Sequence, residues 1–306
     1  MNLLITSNSF GSADKSVFEK LENAGFTITT NKYKRIMTEE ELAEELKGKD
    51  AVILGTEVLS EKVLEQCPDL KVVSRYGVGC DNIDMEALKK RNIPLEITRG
   101  ANSNAVADHA VALMLNVAHH INTADAHIKE GIWKKETSLD LNESKVGIIG
   151  LGAIGKGVAK RVSGFGCEIY GFDVYYDEAF MEEYHIRKAD VSTILKECDF
   201  ITLHVPATPE FHQFMNEEAF RSCKNTAIVI NTARADLVDH DALYKALENG
   251  WIAGYGADVM KNEPEVDTKL ASCPNTVLTP HMGAVTTGAI KKVSEMAAEN
   301  VLKYFK

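Results

Sequence analysis

Short apolar runs, many of them β-branched, alternate with stretches of helical periodicity along almost the whole chain. In the first third, Asn2–Thr6, Thr27–Thr30, Ala51–Leu54, Lys71–Ser74 and Pro94–Ile97 read as strands. Lys15–Asn23, Glu39–Leu46, Glu61–Gln66 and Met85–Arg91 read as the helices between them. This alternation predicts a parallel sheet covered on both faces. Ala105–Val117 is apolar all round, which predicts a buried helix set between two domains. Ile121–Asp140, with Gly131 and Trp133, reads as a polar arm, and an exposed tryptophan there suits a subunit contact. Alternation then resumes, with strands at Val146–Ile149, Glu168–Phe172, Phe200–Leu203, Ala227–Ile230, Ile252–Ala257 and Val277–Leu278. Helices are expected after Gly152, at Val191–Lys196, at Asp241–Asn249 (with Gly250 as its stop) and from about Ala284 to Tyr304.

One junction in this pattern carries more information than the rest. The run Val146–Ile149 passes into Gly150-Leu151-Gly152-Ala153-Ile154-Gly155, a G-x-G-x-x-G, and a helical pattern follows. Gly150 suits the tight turn, Gly152 a close approach of backbone to a pyrophosphate, and Gly155 helix–strand packing. The helix start offers unpaired N–H groups and a positive dipole end to the anion. The next strand ends on Asp173, 18 residues beyond Gly155, where a carboxylate takes both ribose hydroxyls. A 2′-phosphate would be repelled there, and Val174-Tyr175-Tyr176 supplies no arginine to offset it. The expected cofactor is NAD rather than NADP.

Composition narrows the class. The chain has 306 residues, enough for two domains, and carries a net charge of −11. An acidic surface argues against sequence-independent binding to nucleic acid or to an anionic membrane, so an anionic substrate needs a local cluster of cations. Six scattered cysteines without a C-x-x-C pair read as reduced thiols, and no apolar run approaches a membrane span. The expected compartment is the cytoplasm. His109, His119 and His120 have no partners at ligand spacing and are expected to be ordinary histidines, with no metal bound.

Several polar groups follow strands, where an open parallel sheet holds its ligand. His204-Val205-Pro206, Thr232-Ala233-Arg234, Asp258, Glu263 and His281 fall there in the second part of the chain. Arg75-Tyr76-Gly77-Val78-Gly79 falls there in the first, as a loop able to hold an anion or as a plain turn with Asp84 capping the next helix. Hydride transfer from a hydroxy acid needs a base, a cation for carboxylate and oxygen, and a group that orients the base. Histidine titrates near neutrality and suits the first task, at His281. Arginine's planar fork suits the second, at Arg234, and Glu263 suits the third.

The strings RYGVGCDNID, GANSNAVADHA, IGLGAIG, LHVPATPE, INTARADLVD, ADVMKNEP and TPHMGA, in this order, resemble the D-isomer-specific 2-hydroxyacid dehydrogenase family over nearly the whole chain. The resemblance implies two doubly wound parallel-sheet α/β domains, a Rossmann NAD-binding domain inserted in a flavodoxin-like substrate domain. The boundaries are then 1–99 plus 284–306 for the substrate domain and 100–283 for the NAD-binding domain. It implies a catalytic set of Arg234, Glu263 and His281, with the active site in the cleft. Cofactor contacts are implied at Gly150, Gly152, Ala153, Ile154, Gly155, Asp173, His204, Val205, Pro206, Thr232, Ala233, Asp258 (on the nicotinamide carboxamide) and His281. Substrate contacts are implied at Arg75, Tyr76, Val78, Gly79, Asn102 and Arg234. A homodimer through the NAD-binding domain is also implied.

The strings are most similar to the phosphoglycerate dehydrogenase-like branch, and the substrate stays open between 3-phosphoglycerate and a smaller acid such as hydroxypyruvate, glyoxylate or lactate. Arg75 and Arg99 are placed to supply charge to a phosphate, whereas Leu54-Gly55-Thr56-Glu57 lacks an arginine and Glu57 opposes one. A phosphite dehydrogenase and a non-catalytic NAD(H)-sensing protein share this fold and stand as alternatives. Retention of Glu263 speaks against formate as substrate.

Overall fold

The computed structural model describes residues 1–305. The chain forms two compact units, Met1–Asn102 together with the chain from Ala284 onward, and Ser103–Gly283.

The first unit alternates β1 (Asn2–Ile5), α1 (Ser16–Asn23), β2 (Thr27–Thr30), α2 (Glu39–Leu46), β3 (Ala51–Leu54), α3 (Glu61–Leu64), β4 (Val72–Arg75), α4 (Met85–Lys90) and β5 (Leu95–Ile97). All five strands are parallel, in the order β2-β1-β3-β4-β5. β3 is buried at every position, as a strand covered on both faces must be. The last helix of the chain, Thr287–Leu302, packs on this sheet through Ala297, Ala298 and Val301.

The second unit contains α5 (Ser103–Ala118), α6 (Ile121–Lys129), β6 (Lys145–Ile149), α7 (Ala153–Val162), β7 (Glu168–Phe172), α8 (Glu178–Glu183), β8 (Ile186–Lys188) and α9 (Val191–Glu197). It continues through β9 (Phe200–Leu203), α10 (Glu217–Ser222), β10 (Ile228–Asn231), α11 (His240–Glu248), β11 (Gly254–Ala257), α12 (Thr268–Ala271) and β12 (Thr276–Leu278). Seven parallel strands run in the order β12-β11-β10-β9-β6-β7-β8. Their register is what builds the site. Ile149 pairs with Phe172 and Leu203, Asn231 with Leu203 and Ala257, and Ala257 with Leu278. The strands therefore end level, and Gly150, Asp173, His204, Thr232, Asp258 and Thr279 all emerge along one edge.

Three expectations change. Ile121–Lys129 is a helix rather than an irregular arm, although none of its residues is buried. β8, α8, α10 and α12 were not anticipated; each spans three to six residues. The last helix begins at Thr287, capped by Thr286, whose hydroxyl accepts from Ala289 N at 3.2 Å, instead of near Ala284. α5 buries nine residues, and within its unit it packs on α7 and on β10 and β11.

Candidate active site

The glycine turn after β6 leaves no freedom in side chain. Gly150 has φ +103°, and a Cβ on it would lie 2.6 Å from the His204 carbonyl carbon. A Cβ on Gly155 would lie 1.8 Å from the Gly150 oxygen, so α7 can start only where it does. Gly152 is different: nothing lies within 4 Å of the Cβ it lacks, which leaves its backbone open to a ligand. It is also the N-cap residue of α7, and no side chain caps that helix end. Asp173 Oδ2 accepts from Leu151 N at 2.6 Å and Oδ1 from Tyr175 N at 3.2 Å, which ties the acid to the glycine turn. Further along the same edge, His204 Nδ1 and Thr232 Oγ1 are buried without a hydrogen-bond partner. Burial pushes His204 down to about 3, so its ring is neutral, and Nε2 lies 2.9 Å from Thr202 Oγ1. An open phosphate cradle, an acid beside it and two unmet polar atoms at the ends of β9 and β10 fit a dinucleotide.

His281 and Glu263 meet directly, Nδ1 to Oε2 at 2.7 Å, with side chains 53% and 33% exposed. A carboxylate on Nδ1 fixes the proton there and leaves Nε2 for chemistry. Left-handed backbone occurs at His281, with φ of 51°, and at Asn262, the residue before Glu263, with φ of 65°. Arg234 follows β10 in extended conformation, and its Nη1 donates to Ala233 O at 2.8 Å. Buried Asn231 shapes that turn, accepting from Ala233 N at 3.0 Å and donating to Arg234 O at 2.8 Å.

Asp258, 3% exposed, lies beneath the His281 turn. Its Oδ1 accepts from Thr279 Oγ1 at 2.6 Å and Met282 N at 2.9 Å, and Oδ2 from Gly283 N at 2.7 Å. His109 Nε2 stands 2.8 Å from Thr279 Oγ1 and 3.3 Å from Asp258 Oδ1. The threonine has one proton and gives it to Asp258, so His109 is the donor to Thr279. Burial works against the Asp258 charge, but the bonds from His109, Thr279, Gly283 and Met282 outweigh it and hold the carboxyl below its ordinary range. Asp258 thus secures the turn that carries His281. The sequence assigned no role to Thr279 or Asn231 and an ordinary one to His109; only the place of Thr279 two residues before His281 pointed to it.

In the first unit, Arg75 turns its guanidinium onto its own loop. Nε donates to Gly79 O at 2.7 Å and Nη1 to Tyr76 O at 2.7 Å. Asp84 caps α4 by accepting from Ala87 N at 2.9 Å. Gly77 has φ +143°, and Val78 is exposed. Tyr76 directs its hydroxyl to Ser294 Oγ, 3.1 Å away on the last helix. Arg99 is exposed, and Asn102, before α5, is half-buried. All six cysteines are free. Among the described residues no group of three or more His, Cys, Asp or Glu side chains could hold a metal ion, and no helix is long and apolar enough to cross a membrane.

Residues 111–283 match the NAD binding domain of D-isomer specific 2-hydroxyacid dehydrogenase. A glyoxylate reductase of Thermococcus litoralis is 40% identical over 275 residues, covering 87% of this chain and 83% of that protein. A D-3-phosphoglycerate dehydrogenase of Methanocaldococcus jannaschii is 39% identical over 272 residues, 87% of this chain but 52% of its own length. The crystal structure of D-lactate dehydrogenase from Aquifex aeolicus with NAD and lactic acid superposes with a TM-score of 0.83 at 28% identity, covering 99% of this chain and 95% of that one. With a match of this extent added to a glycine turn that fits a dinucleotide, the chain belongs to the D-isomer specific 2-hydroxyacid dehydrogenases, NAD-dependent oxidoreductases that act on a CH–OH group.

Proposed function

We propose that this chain reduces a small, unphosphorylated 2-oxo acid of the glyoxylate and hydroxypyruvate class. The observation that carries the reading is the Glu263–His281 pair at 2.7 Å, in the loops beyond the sheet that also carries Arg234 and the dinucleotide turn. The relative named glyoxylate reductase, covered over 83% of its length, supports the substrate class. So does Glu57, a buried acid where a phosphate would need a cation.

Bound NADH supplies the hydride. Arg234 pairs with the substrate carboxylate and polarises the carbonyl oxygen. His281 donates its Nε2 proton to that oxygen as charge develops there. Glu263 keeps the ring oriented through Nδ1 and provides the counter-charge when both ring nitrogens are protonated. Asp258, through Met282 and Gly283, holds the turn in place. The backbone at Val78 and Gly79 takes the carboxylate, and Asn102 contributes a further polar contact. Asp173 takes the adenosine ribose hydroxyls, with Ala153, Ile154, Val205, Pro206 and Ala233 lining the cofactor.

The test is loss of NADH absorbance with glyoxylate, hydroxypyruvate, pyruvate and phosphohydroxypyruvate. Turnover on the small acids well above the phosphorylated one is expected. The reverse ranking would assign a phosphate substrate, and silence with NADH still bound would favour a sensing protein.

The chain is further proposed to pair as a homodimer through its NAD-binding unit. α6 buries none of its residues and, with the segment after it, exposes Ile121, Ile128, Ile132 and Trp133, the last 84% exposed. Sedimentation of wild type against Ile128→Lys tests this, a monomeric wild type refuting it. Six free cysteines suit a reducing cytoplasm.

A further inference from the structure

Glu263 stands on a loop that buries nothing of its own. Lys261 through Val266 are all exposed, between Val259, buried just beyond β11, and Asp267, whose side chain is 15% exposed. Met260 N donates to Glu263 Oε1 at 2.9 Å and Glu265 N to Asn262 O at 3.0 Å, bonds that shape the loop from within. The 2.7 Å reach from Glu263 to His281 therefore depends on where the two ends of the loop are held. β11 holds the first end, and Asp267 holds the second.

Asp267 divides its two oxygens between two helices. Oδ1 accepts from Leu270 N at 2.9 Å and caps α12. Oδ2 accepts from the Tyr244 hydroxyl at 2.6 Å and lies 3.3 Å from His240 Nδ1. An ionised carboxylate only accepts, so the His240 proton sits on Nδ1. Burial works against the Asp267 charge, but the bonds from Tyr244, Leu270 N and His240 outweigh it and hold the carboxyl below its ordinary range. Burial and the bond to Asp267 push the Tyr244 hydroxyl up, so it keeps its proton as the donor. The His240 side chain is 10% exposed and its Nε2 is buried without a hydrogen-bond partner, so the Nδ1 bond to Asp267 is what orients the ring. From α12, Lys269 Nζ lies over the Tyr244 ring, 3.8 Å from its centroid.

His240 and Tyr244 lie one turn apart at the start of α11, and α11 follows closely on Arg234. Arg234 leads into one tight helical turn, Ala235–Leu237, then to Val238 and Asp239. Asp239 caps α11 by accepting from Asp241 N at 3.0 Å and Ala242 N at 3.2 Å. Asp267 thus joins the segment that carries Arg234 to the loop that carries Glu263. We propose that His240, Tyr244 and Asp267 are positioning residues of the active site, which hold the Glu263 loop where its carboxylate meets His281. The inference rests on the reading of Glu263 as the partner of His281 in a 2-oxo acid reductase.

The test is a double-mutant cycle on kcat, with NADH and whichever 2-oxo acid wild type reduces fastest. One arm is Tyr244→Phe combined with His240→Ala, which removes both donors to Oδ2 and leaves Asp267 capping α12. The other arm is Glu263→Gln. The paired substitution is expected to lower kcat about tenfold when Glu263 is present and less than about twofold once it is glutamine. KM for NADH should stay within about twofold throughout, since the cluster does not touch the cofactor turn. Residues that only stabilised the fold would lower kcat equally in both backgrounds. Coupling of about threefold or more upholds the proposal, and weaker coupling overturns it. If the paired variant does not fold, Tyr244→Phe alone, which removes one hydroxyl, enters the same cycle under the same criterion. Weak coupling beside a Glu263→Gln that itself lowers kcat leaves the reductase reading standing. A Glu263→Gln without effect, or a wild type inactive on every acid, refutes that reading and this inference with it.

Discussion

Replacing Asp258 with asparagine removes one acceptor oxygen from a carboxylate that serves Thr279, Met282, Gly283 and His109. The amide can keep its oxygen toward Thr279 and Met282, but its NH2 then faces Gly283 N–H, now 2.7 Å from Oδ2. Losing a charge-assisted bond and leaving a buried donor unmet costs about 3 kcal/mol, and relief from burying the charge returns part of it. The expected net loss is about 2 kcal/mol, read from the urea midpoint at constant m. Because the carboxyl is held below its ordinary range in the fold, its contribution is present above that range and lost as pH falls through the folded value. The deficit of the variant should therefore shrink below about pH 4. With its turn loosened, His281 is displaced, and kcat should fall tenfold or more, while NADH affinity by fluorescence stays within about twofold. Undiminished stability together with lost NADH affinity would refute this argument and return Asp258 to the nicotinamide carboxamide.

Three further outcomes are expected. His281→Ala should lose about a thousandfold in turnover yet bind NADH, and retained turnover would remove it as proton donor. Asp173→Ala should raise the NADPH to NADH ratio of kcat/KM at least tenfold; equal use of both by wild type would contradict its role. His204, pushed down to about 3 by burial, is neutral in the fold, so its contribution is present above about pH 6.5 and lost as pH falls toward 3. Wild type should lose stability over that window more steeply than His204→Gln, by up to about 1.4 kcal/mol per pH unit, and parallel curves would refute it.

The two parallel sheets were legible because their inner strands are unbroken apolar runs, such as Ala51–Leu54 and Phe200–Leu203, each buried throughout. β8 was not, since Ile186 alone of its three residues is buried, and pairing with Ile169 on β7 is what makes it a strand. α6 hid for a related reason: Ile121, Ala124 and Ile128 lie at helical spacing, but polar residues surround them and none is buried in the fold. Site residues were legible wherever a reactive type followed a strand, as at Arg234 and His281. Their supports were not, because Thr279 and His109 are 170 residues apart and neither is unusual in its local string.

The missing supports matter because the reactive pair does not hold itself in place. An exposed ion pair contributes about 0–1 kcal/mol, and the His281 side chain is 53% exposed. Left-handed backbone at a non-glycine residue costs about 1 kcal/mol, and His281 adopts it with φ at 51°. On those terms the 2.7 Å contact with Glu263 does not by itself keep the turn strained. The three bonds to buried Asp258 from Thr279, Met282 and Gly283 are charge-assisted, each contributing about 1.5–3 kcal/mol, and they outweigh the strain. The geometry of the exposed pair is thus imposed from the buried layer beneath it. A substitution at Asp258 should therefore disturb His281 more than one at Glu263 disturbs the fold.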